Sequence, residues 1–171
     1  MKKLTILAAA LTLATSSYAL SIGDTFNVGV TFTSSCSVST AAADIAMTYT
    51  AFAAAASTGS ASTTFTCSRG LSPTFQFDVG GAGVQTASAA ASTGNITAEG
   101  LIAGLRYTLT AAVPTVSAGT AAAAGAAGTG GTNGTADTYS LTINANIPAG
   151  QAGDGNAATA ISQTRTLTIV Y

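Results

Sequence analysis

The chain has 171 residues, of which only 6% are charged and none is histidine, and its formal net charge at pH 7 is −1. Without histidine, a Ser-His-Asp triad or a histidine-assisted cysteine nucleophile cannot be assembled, and transition metals lack their commonest ligand. The five basic residues form no stripe, which argues against nucleic acid and anionic membrane surfaces as partners. We therefore predict no enzyme activity, no catalytic residues, no metal and no cofactor.

The first 19 residues have the features of a secretory leader. Two lysines precede the apolar stretch Leu4–Thr15, and Ser17-Tyr18-Ala19 supplies the small-x-small pattern after which a signal peptidase cuts. The apolar stretch is shorter than the ~20 residues that span a bilayer, and no later segment reaches that length. We expect residues 1–19 to be removed and the mature chain, exported and without a membrane span, to begin near Leu20.

Alternating apolar residues, separated by Gly, Ser, Asn and Pro, predict an all-β domain. The segments with this pattern are Thr25–Thr33, Cys36–Ser39, Ile45–Thr50, Ser62–Ser68, Thr74–Val79, Asn95–Glu99, Leu105–Leu109, Thr138–Ile147 and Thr164–Tyr171. The alanine runs have no 3.6-residue period, so we expect at most one helical turn, near Phe52–Ala56. Seven or eight short strands in about 150 residues are typical of an immunoglobulin-like β-sandwich.

The two cysteines, Cys36 and Cys67, predict a disulfide because the chain is expected to be exported. Two buried free thiols are the alternative. On the chain-entropy estimate, closing a loop of about 32 residues contributes roughly 3.5–4 kcal/mol to stability.

Two segments rich in Ala, Gly, Ser and Thr, residues 80–94 and 111–136, interrupt the strand pattern. A structureless loop longer than about 15 residues is unusual in a compact domain. The second segment is therefore either a long loop with a role at the end of a sheet or, in part, an extra hairpin.

Apolar side chains alternate at both ends of the mature chain. They are Phe26, Val28, Val30 and Phe32 near its start and Leu167, Ile169 and Tyr171 at its end. The first row is either an edge strand of its own sandwich or a strand donated to a neighbour, which would fill the groove of a sandwich lacking its last strand. Such a contact is head-to-tail and builds a fibre. A surface so poor in charge also favours an assembled state.

Six segments together carry a more specific pattern. They are Cys36-Ser-Val-Ser-Thr40, Thr63-Thr-Phe-Thr-Cys-Ser68, Pro73-Thr-Phe-Gln-Phe-Asp-Val-Gly80, Leu105-Arg-Tyr-Thr-Leu109, Tyr139-Ser-Leu-Thr-Ile-Asn-Ala-Asn-Ile-Pro-Ala-Gly-Gln151 and Arg165-Thr-Leu-Thr-Ile-Val-Tyr171. In these segments the chain resembles the spore coat protein U domain, the pilin domain of archaic (Csu-type) chaperone–usher pili.

The resemblance implies an incomplete immunoglobulin-like β-sandwich that lacks its last strand. Residues 20–35 would be an N-terminal donor-strand segment and residues 36–171 the pilin-like domain. The family pattern assigns the donor side chains to Phe26, Val28, Val30 and Phe32, and the final strand beside the acceptor groove to Leu167, Ile169 and Tyr171. It also implies that Cys36 and Cys67 tie the first strand to the second.

The resemblance further implies a structural subunit of a surface fimbria that supports adhesion and biofilm formation. Its partners would be identical or related pilin subunits, a periplasmic chaperone and an outer-membrane usher, with export through the periplasm to the cell surface. The alternative is a monomeric secreted coat or binding module with a closed sandwich, which would use residues 111–136 to hold a surface or ligand.

Overall fold

The structure, a computed structural model, describes residues 23–78, 84–86, 91, 94–154 and 161–171. These residues contain no helix, and their strands form two antiparallel sheets. In chain order the strands are β1 (Cys36–Thr40), β2 (Ser57–Cys67), β3 (Thr74–Phe77), β4 (Val84–Thr86), β5 (Ile96–Ile102), β6 (Leu105–Ala111), β7 (Thr115–Ser117), β8 (Asp137–Ile147) and β9 (Leu167–Val170). The prediction of an all-β, sandwich-like fold is confirmed.

The larger sheet is built around the pair β2–β8. Its order is β1-β2-β8-β6-β5-β4, and β7 also pairs with β8. β2 and β8 pair over eleven residues, from Ser57 opposite Ile147 to Cys67 opposite Asp137. Side chains in a strand alternate between the two faces, so the apolar alternation of both strands places one continuous row in the core. Phe65 and Leu141 in that row are buried.

The smaller sheet consists of β3 and β9, paired from Thr74 opposite Val170 to Phe77 opposite Leu167. Phe75 and Phe77 of β3 are buried. The Phe75 ring centroid lies 5.7 Å from that of Phe65 and 6.1 Å from that of Tyr139, both in the larger sheet. Tilted aromatic contacts of this kind join the two layers in one core.

The strand predicted at Ile45–Thr50 is not formed. Residues 41–50 have no strand assignment, although Ile45, Met47 and Tyr49 are partly buried against the core and their neighbours are exposed. A strand needs a neighbour to accept its backbone hydrogen bonds, and no backbone hydrogen bond joins residues 45–49 to another segment among the described residues. The alternation therefore predicted correctly which side chains are buried. It was wrong in predicting that they belong to a hydrogen-bonded strand.

Other boundaries also differ from the prediction. β2 begins at Ser57 instead of Ser62, and the last strand covers only Leu167–Val170. The helical turn expected near Phe52–Ala56 is replaced by a non-helical turn in which Phe52 has a φ of 57°. Most of the segment 80–94 lies outside the described residues.

Residues 115–140 form one long hairpin. β7 pairs with β8 from Thr115 opposite Ser140 onward. The same register continues outward, because the Thr135 amide donates to the Thr120 carbonyl (2.9 Å) and Ala123 and Thr132 exchange backbone hydrogen bonds. We call the projecting part, residues 118–136, the arm. It corresponds to the extra hairpin that the sequence left open as one of two possibilities.

The tip of the arm is a two-residue turn that requires glycine. Gly128 has a φ of 83°, and the Thr129 amide donates to the Ala126 carbonyl (2.9 Å). A positive φ at this position is accessible to glycine at little cost. At the base, a Cβ on Gly119 would overlap the Thr135 carbonyl oxygen, so close backbone approach explains this second glycine.

Residues 1–19, the expected leader, lie outside the described residues. Within the described ranges, no helix is long and apolar enough to cross a membrane. No group of three His, Cys, Asp or Glu side chains in the same part of the chain is arranged to hold a metal ion.

Candidate functional site

The N-terminal unit of the chain, Met1–Phe32, presents the row of apolar side chains singled out from the sequence. Residues 23–35 are in no strand. Phe26, Val28, Val30 and Phe32 are 84%, 86%, 91% and 77% exposed. Four large apolar side chains exposed within seven residues make this segment a candidate interaction site. Whether the segment acts as a donor strand stays a prediction.

The second unit, Thr33–Tyr171, contains the C-terminal row. Leu167 and Ile169 are partly buried and pack against the core, as their positions on β9 predict. Tyr171 lies just beyond the strand and is 58% exposed. One edge of β9 pairs with β3, and no strand of the described residues pairs with its other edge. In the part of the chain that the structure describes, β9 therefore has one unpaired edge, beside two half-buried apolar side chains.

A second apolar segment without a strand partner among the described residues, Ile45–Tyr49, was not predicted as a site from the sequence. We call this segment the wall. Ile45, Met47 and Tyr49 pack against the same core as Leu167 and Ile169. Their backbone groups make no hydrogen bonds to other backbone in the described part of the chain. Spacing by two residues was the available signal, but it was assigned to a paired strand.

The inner face of β1 is uncovered at Val38. Val38 lies opposite Phe65 in the β1–β2 ladder, so both side chains point to the same face of the sheet. Phe65 is 2% exposed whereas Val38 is 58% exposed. The apolar face of the sheet is therefore covered at Phe65 of β2 and exposed to solvent at Val38 of β1.

The wall at Ile45–Tyr49 is held in place by the loop that follows β8. The Gln151 amide donates to the Tyr49 hydroxyl (2.8 Å), and the Phe52 amide donates to the Gln151 carbonyl (2.8 Å). The Gln151 side chain in turn bonds the backbone of Arg106 in β6, accepting from its amide (2.7 Å) and donating to its carbonyl (2.9 Å). One glutamine thus ties the wall to the larger sheet.

The predicted disulfide is present between Cys36 and Cys67, at directly opposed positions of β1 and β2. Next to it, the Ser68 amide donates to the Ser35 carbonyl (2.8 Å), and the Ser35 amide donates to the Ser68 hydroxyl (3.0 Å). These bonds fix the start of the second unit, close in sequence to the N-terminal apolar row.

The base of the arm is fixed by one buried carboxylate. Asp137 accepts hydrogen bonds from the amides of Gly119 (2.6 Å) and Gly70 (2.8 Å), and it is 6% exposed. The Gly119 bond, followed by the Gly70 bond, lowers the pKa of the Asp137 carboxyl below its ordinary value. The residues beyond this base, 120–136, are all exposed.

A model of the Spore Coat Protein U domain matches residues 22–167 of this chain. The match includes the N-terminal apolar row, both cysteines and the first residue of β9. Neither the curated proteins nor the solved structures contain a significant match.

Proposed function

The chain belongs to the Spore Coat Protein U domain family, and we propose that it is a structural pilus subunit that polymerises by donor-strand exchange. The family is a structural one associated with subunits of chaperone–usher pili. The donor strand is the N-terminal segment with Phe26, Val28, Val30 and Phe32. We assign the acceptor to a groove bounded by the edge of β9 that no described strand pairs and by the wall Ile45–Tyr49, because both segments pack against the same core.

The observation that carries this proposal is that each unit has an apolar feature without a strand partner among the described residues, and that one strand added to a groove would give both a partner. One unit has a row of exposed apolar side chains without a strand partner. The other has half-buried apolar side chains beside backbone edges without a partner in the described residues. An added strand satisfies both, because main-chain bonds complete the sheet and alternate side chains enter the core.

The energy available is large enough to drive assembly. Burying four Val and Phe side chains contributes up to roughly 6–12 kcal/mol, at about 1.5–3 kcal/mol each. Donor and acceptor surfaces differ, so the contact repeats without closing and gives a fibre. Before assembly, a periplasmic chaperone would supply the missing strand and an outer-membrane usher would mediate its replacement. The fibre would stand on the cell surface and support adhesion and biofilm formation.

The proposal is tested with a chain that lacks residues 24–33 and a synthetic peptide of residues 24–33. We expect the shortened chain to remain unpolymerised and to bind the peptide, with amide exchange slowed at both Ile45–Tyr49 and Leu167–Val170. A peptide with the same composition in scrambled order is the control. If the shortened chain still formed SDS-resistant ladders, or the peptide protected neither segment, a closed monomeric coat or binding module would be the better description.

A further inference from the structure

Arg165 has an unusual environment for a charged residue. It lies two positions before β9, and its side chain is 9% exposed. Its Nε donates to the Asp78 carboxylate (3.0 Å) and its Nη2 to the Asp78 carbonyl (3.0 Å). Its Nη1 donates to the Tyr107 hydroxyl (3.2 Å) and, at 3.4 Å, to the Glu99 carbonyl. Burying a guanidinium is costly unless its donors are paired, and these contacts provide that pairing.

The contacts of Arg165 join the two sheets. Asp78 directly follows β3 in the smaller sheet, whereas Glu99 and Tyr107 belong to β5 and β6 in the larger sheet. The Asp78 amide also donates to the Thr166 carbonyl (2.9 Å), which continues the β3–β9 pairing to the residue after Arg165. The guanidinium therefore lies at the end of the smaller sheet where β9 begins.

The smaller sheet depends on such attachments. It consists of two strands of four residues each. An isolated pair of short strands is at best marginally stable in water. Packing of Phe75 and Phe77 secures β3, but Leu167 and Ile169 of β9 are only partly buried. While the groove is empty, β9 has few other contacts to hold it against the core.

We propose that Arg165 is a positioning residue for strand acceptance. It holds β9 against the larger sheet in a subunit whose groove is empty, so that the free edge of β9 is already in place for the incoming strand. This inference rests on the proposed function. Once a donor strand pairs with β9, the ladder and the buried donor side chains take over, and the dependence on Arg165 falls.

A positioning role differs from a general structural one in that the effect of losing Arg165 depends on whether the groove is empty or filled. Loss of Arg165 speeds exchange of the β9 amides in the empty subunit and changes it little in the filled one. It also slows strand uptake, because β9 must be brought into position during binding. A residue that stabilises the fold uniformly would affect both states alike.

The test uses the chain lacking residues 24–33, with and without the peptide of residues 24–33. Arg165→Met keeps the length of the side chain and removes the guanidinium. We expect β9 amide exchange in the empty form to accelerate by about tenfold to a hundredfold, as for loss of charged hydrogen bonds, and uptake to slow by about tenfold. In the filled form the change in exchange should be no more than about twofold.

Arg106→Met is the matched control. Arg106 is paired with Glu99 on the surface and its side chain is 56% exposed, and its hydrogen bonds outside the strand ladder go, among the described residues, to Glu99 and Gln151, not to β9. This variant should behave as the parent in exchange and in uptake. Tyr107→Phe is a milder variant that removes one acceptor of Arg165, together with the hydrogen bond that the Tyr107 hydroxyl donates to Gln163, and keeps the Asp78 pair, so it should shift both readouts in the same direction by less. It keeps the test decisive if Arg165→Met fails to fold.

Equal acceleration of β9 exchange in the empty and filled forms would overturn the inference, as would uptake at the parental rate. In either case peptide binding by the parent would leave the proposed function standing. If the parent itself did not take up the peptide, the proposed function and this inference would fall together.

Discussion

The two apolar rows at the ends of the chain have the same sequence pattern and different surroundings. Leu167 and Ile169 are partly buried and paired with β3, whereas Phe26, Val28 and Val30 are more than 80% exposed. Alternation indicates that a segment is suited to half-buried strand pairing. It does not indicate whether the partner is in the same molecule. The difference between the two rows is what makes the N-terminal segment the candidate donor.

The largest effect should come from placing charges on the N-terminal row. Val28→Asp with Val30→Asp brings two carboxylates into the acceptor groove, where burial without partners is prohibitive. We expect polymerisation to be abolished, measured as loss of SDS-resistant ladders in unboiled samples and of fibres by electron microscopy.

The control for this variant places the same charges on the opposite face of the segment. Asn27→Asp with Thr31→Asp should leave polymerisation largely intact, because these alternate positions point away from a groove that receives Val28 and Val30. Equal behaviour of the two double variants would show that the segment does not insert as a strand with one buried face.

Removal of the disulfide should lower the stability of the second unit and leave amide exchange in the N-terminal row unchanged. Cys36→Ala with Cys67→Ala should destabilise the folded domain by roughly 3.5–4 kcal/mol on the chain-entropy estimate. For a domain of this size that corresponds to a fall in Tm of roughly 8–15 °C. Amide exchange at residues 26–32, which lie in the first unit, should not change.

A reductant provides the control. It should lower the Tm of the wild-type chain to that of the double variant and leave the double variant unaffected. Coincident Tm values for oxidised wild type and double variant would contradict a stabilising role for the bond.

The C-terminal row should respond more weakly, because it is already half-buried. Ile169→Ala in the chain lacking residues 24–33 removes apolar contact with the incoming strand worth about 1–2 kcal/mol. We expect the peptide of residues 24–33 to bind roughly five- to thirtyfold more weakly, measured by fluorescence anisotropy. Thr168→Ala, on the alternate face of β9, should bind as the parent does. Weaker peptide binding by the Thr168→Ala variant alone would show that the incoming strand contacts the face of β9 opposite to Ile169.

Much of the larger sheet was predictable because its strands alternate strongly. Phe65, Leu141 and Ile143 mark the buried face of β2 and β8 unambiguously. The first residues of β2, Ser57–Ala61, are small or polar and have no such signal, so their pairing with β8 was missed. The register of the arm could not be predicted either. It follows from the pairing of Thr115 opposite Ser140 in β7 and β8, and not from the side chains of the arm itself.

The site was predictable only in part. The apolar rows and the cysteines follow from local pattern and from the expected export. The wall at Ile45–Tyr49 has the pattern of a strand, and the sequence does not show that no described strand pairs with it. The contacts of Arg165 join residues 58 to 87 positions apart and depend on the packing of two sheets. No local pattern encodes such a contact.

The smallest expected effect concerns Asp137, which lies opposite Cys67 of the disulfide in the β2–β8 ladder. Its pKa is lowered in the folded state by the Gly119 and Gly70 amides, so the unfolded chain takes up the proton first as pH falls. The stabilisation is therefore complete above the ordinary aspartate pKa of about 3.9 and is lost as pH falls through the lower, folded-state pKa. Asp137→Asn should reduce the urea midpoint at pH 7, and the difference from wild type should shrink below about pH 4.

Thr138→Ala, at the next position of β8, is the control for a general effect at the start of this strand, and any loss it causes should be the same at pH 7 and pH 3. A difference between Asp137→Asn and wild type that persisted unchanged at pH 3 would show that the carboxylate does not act through its charge.

If the difference does shrink, peptide binding by the chain lacking residues 24–33 should still be unchanged by Asp137→Asn at pH 7. The Gly70 and Gly119 amides both donate to Asp137 at the base of the arm, and neither residue belongs to the two segments proposed to receive the strand. Anchoring of the arm and acceptance of the donor strand would then be independent properties of one domain.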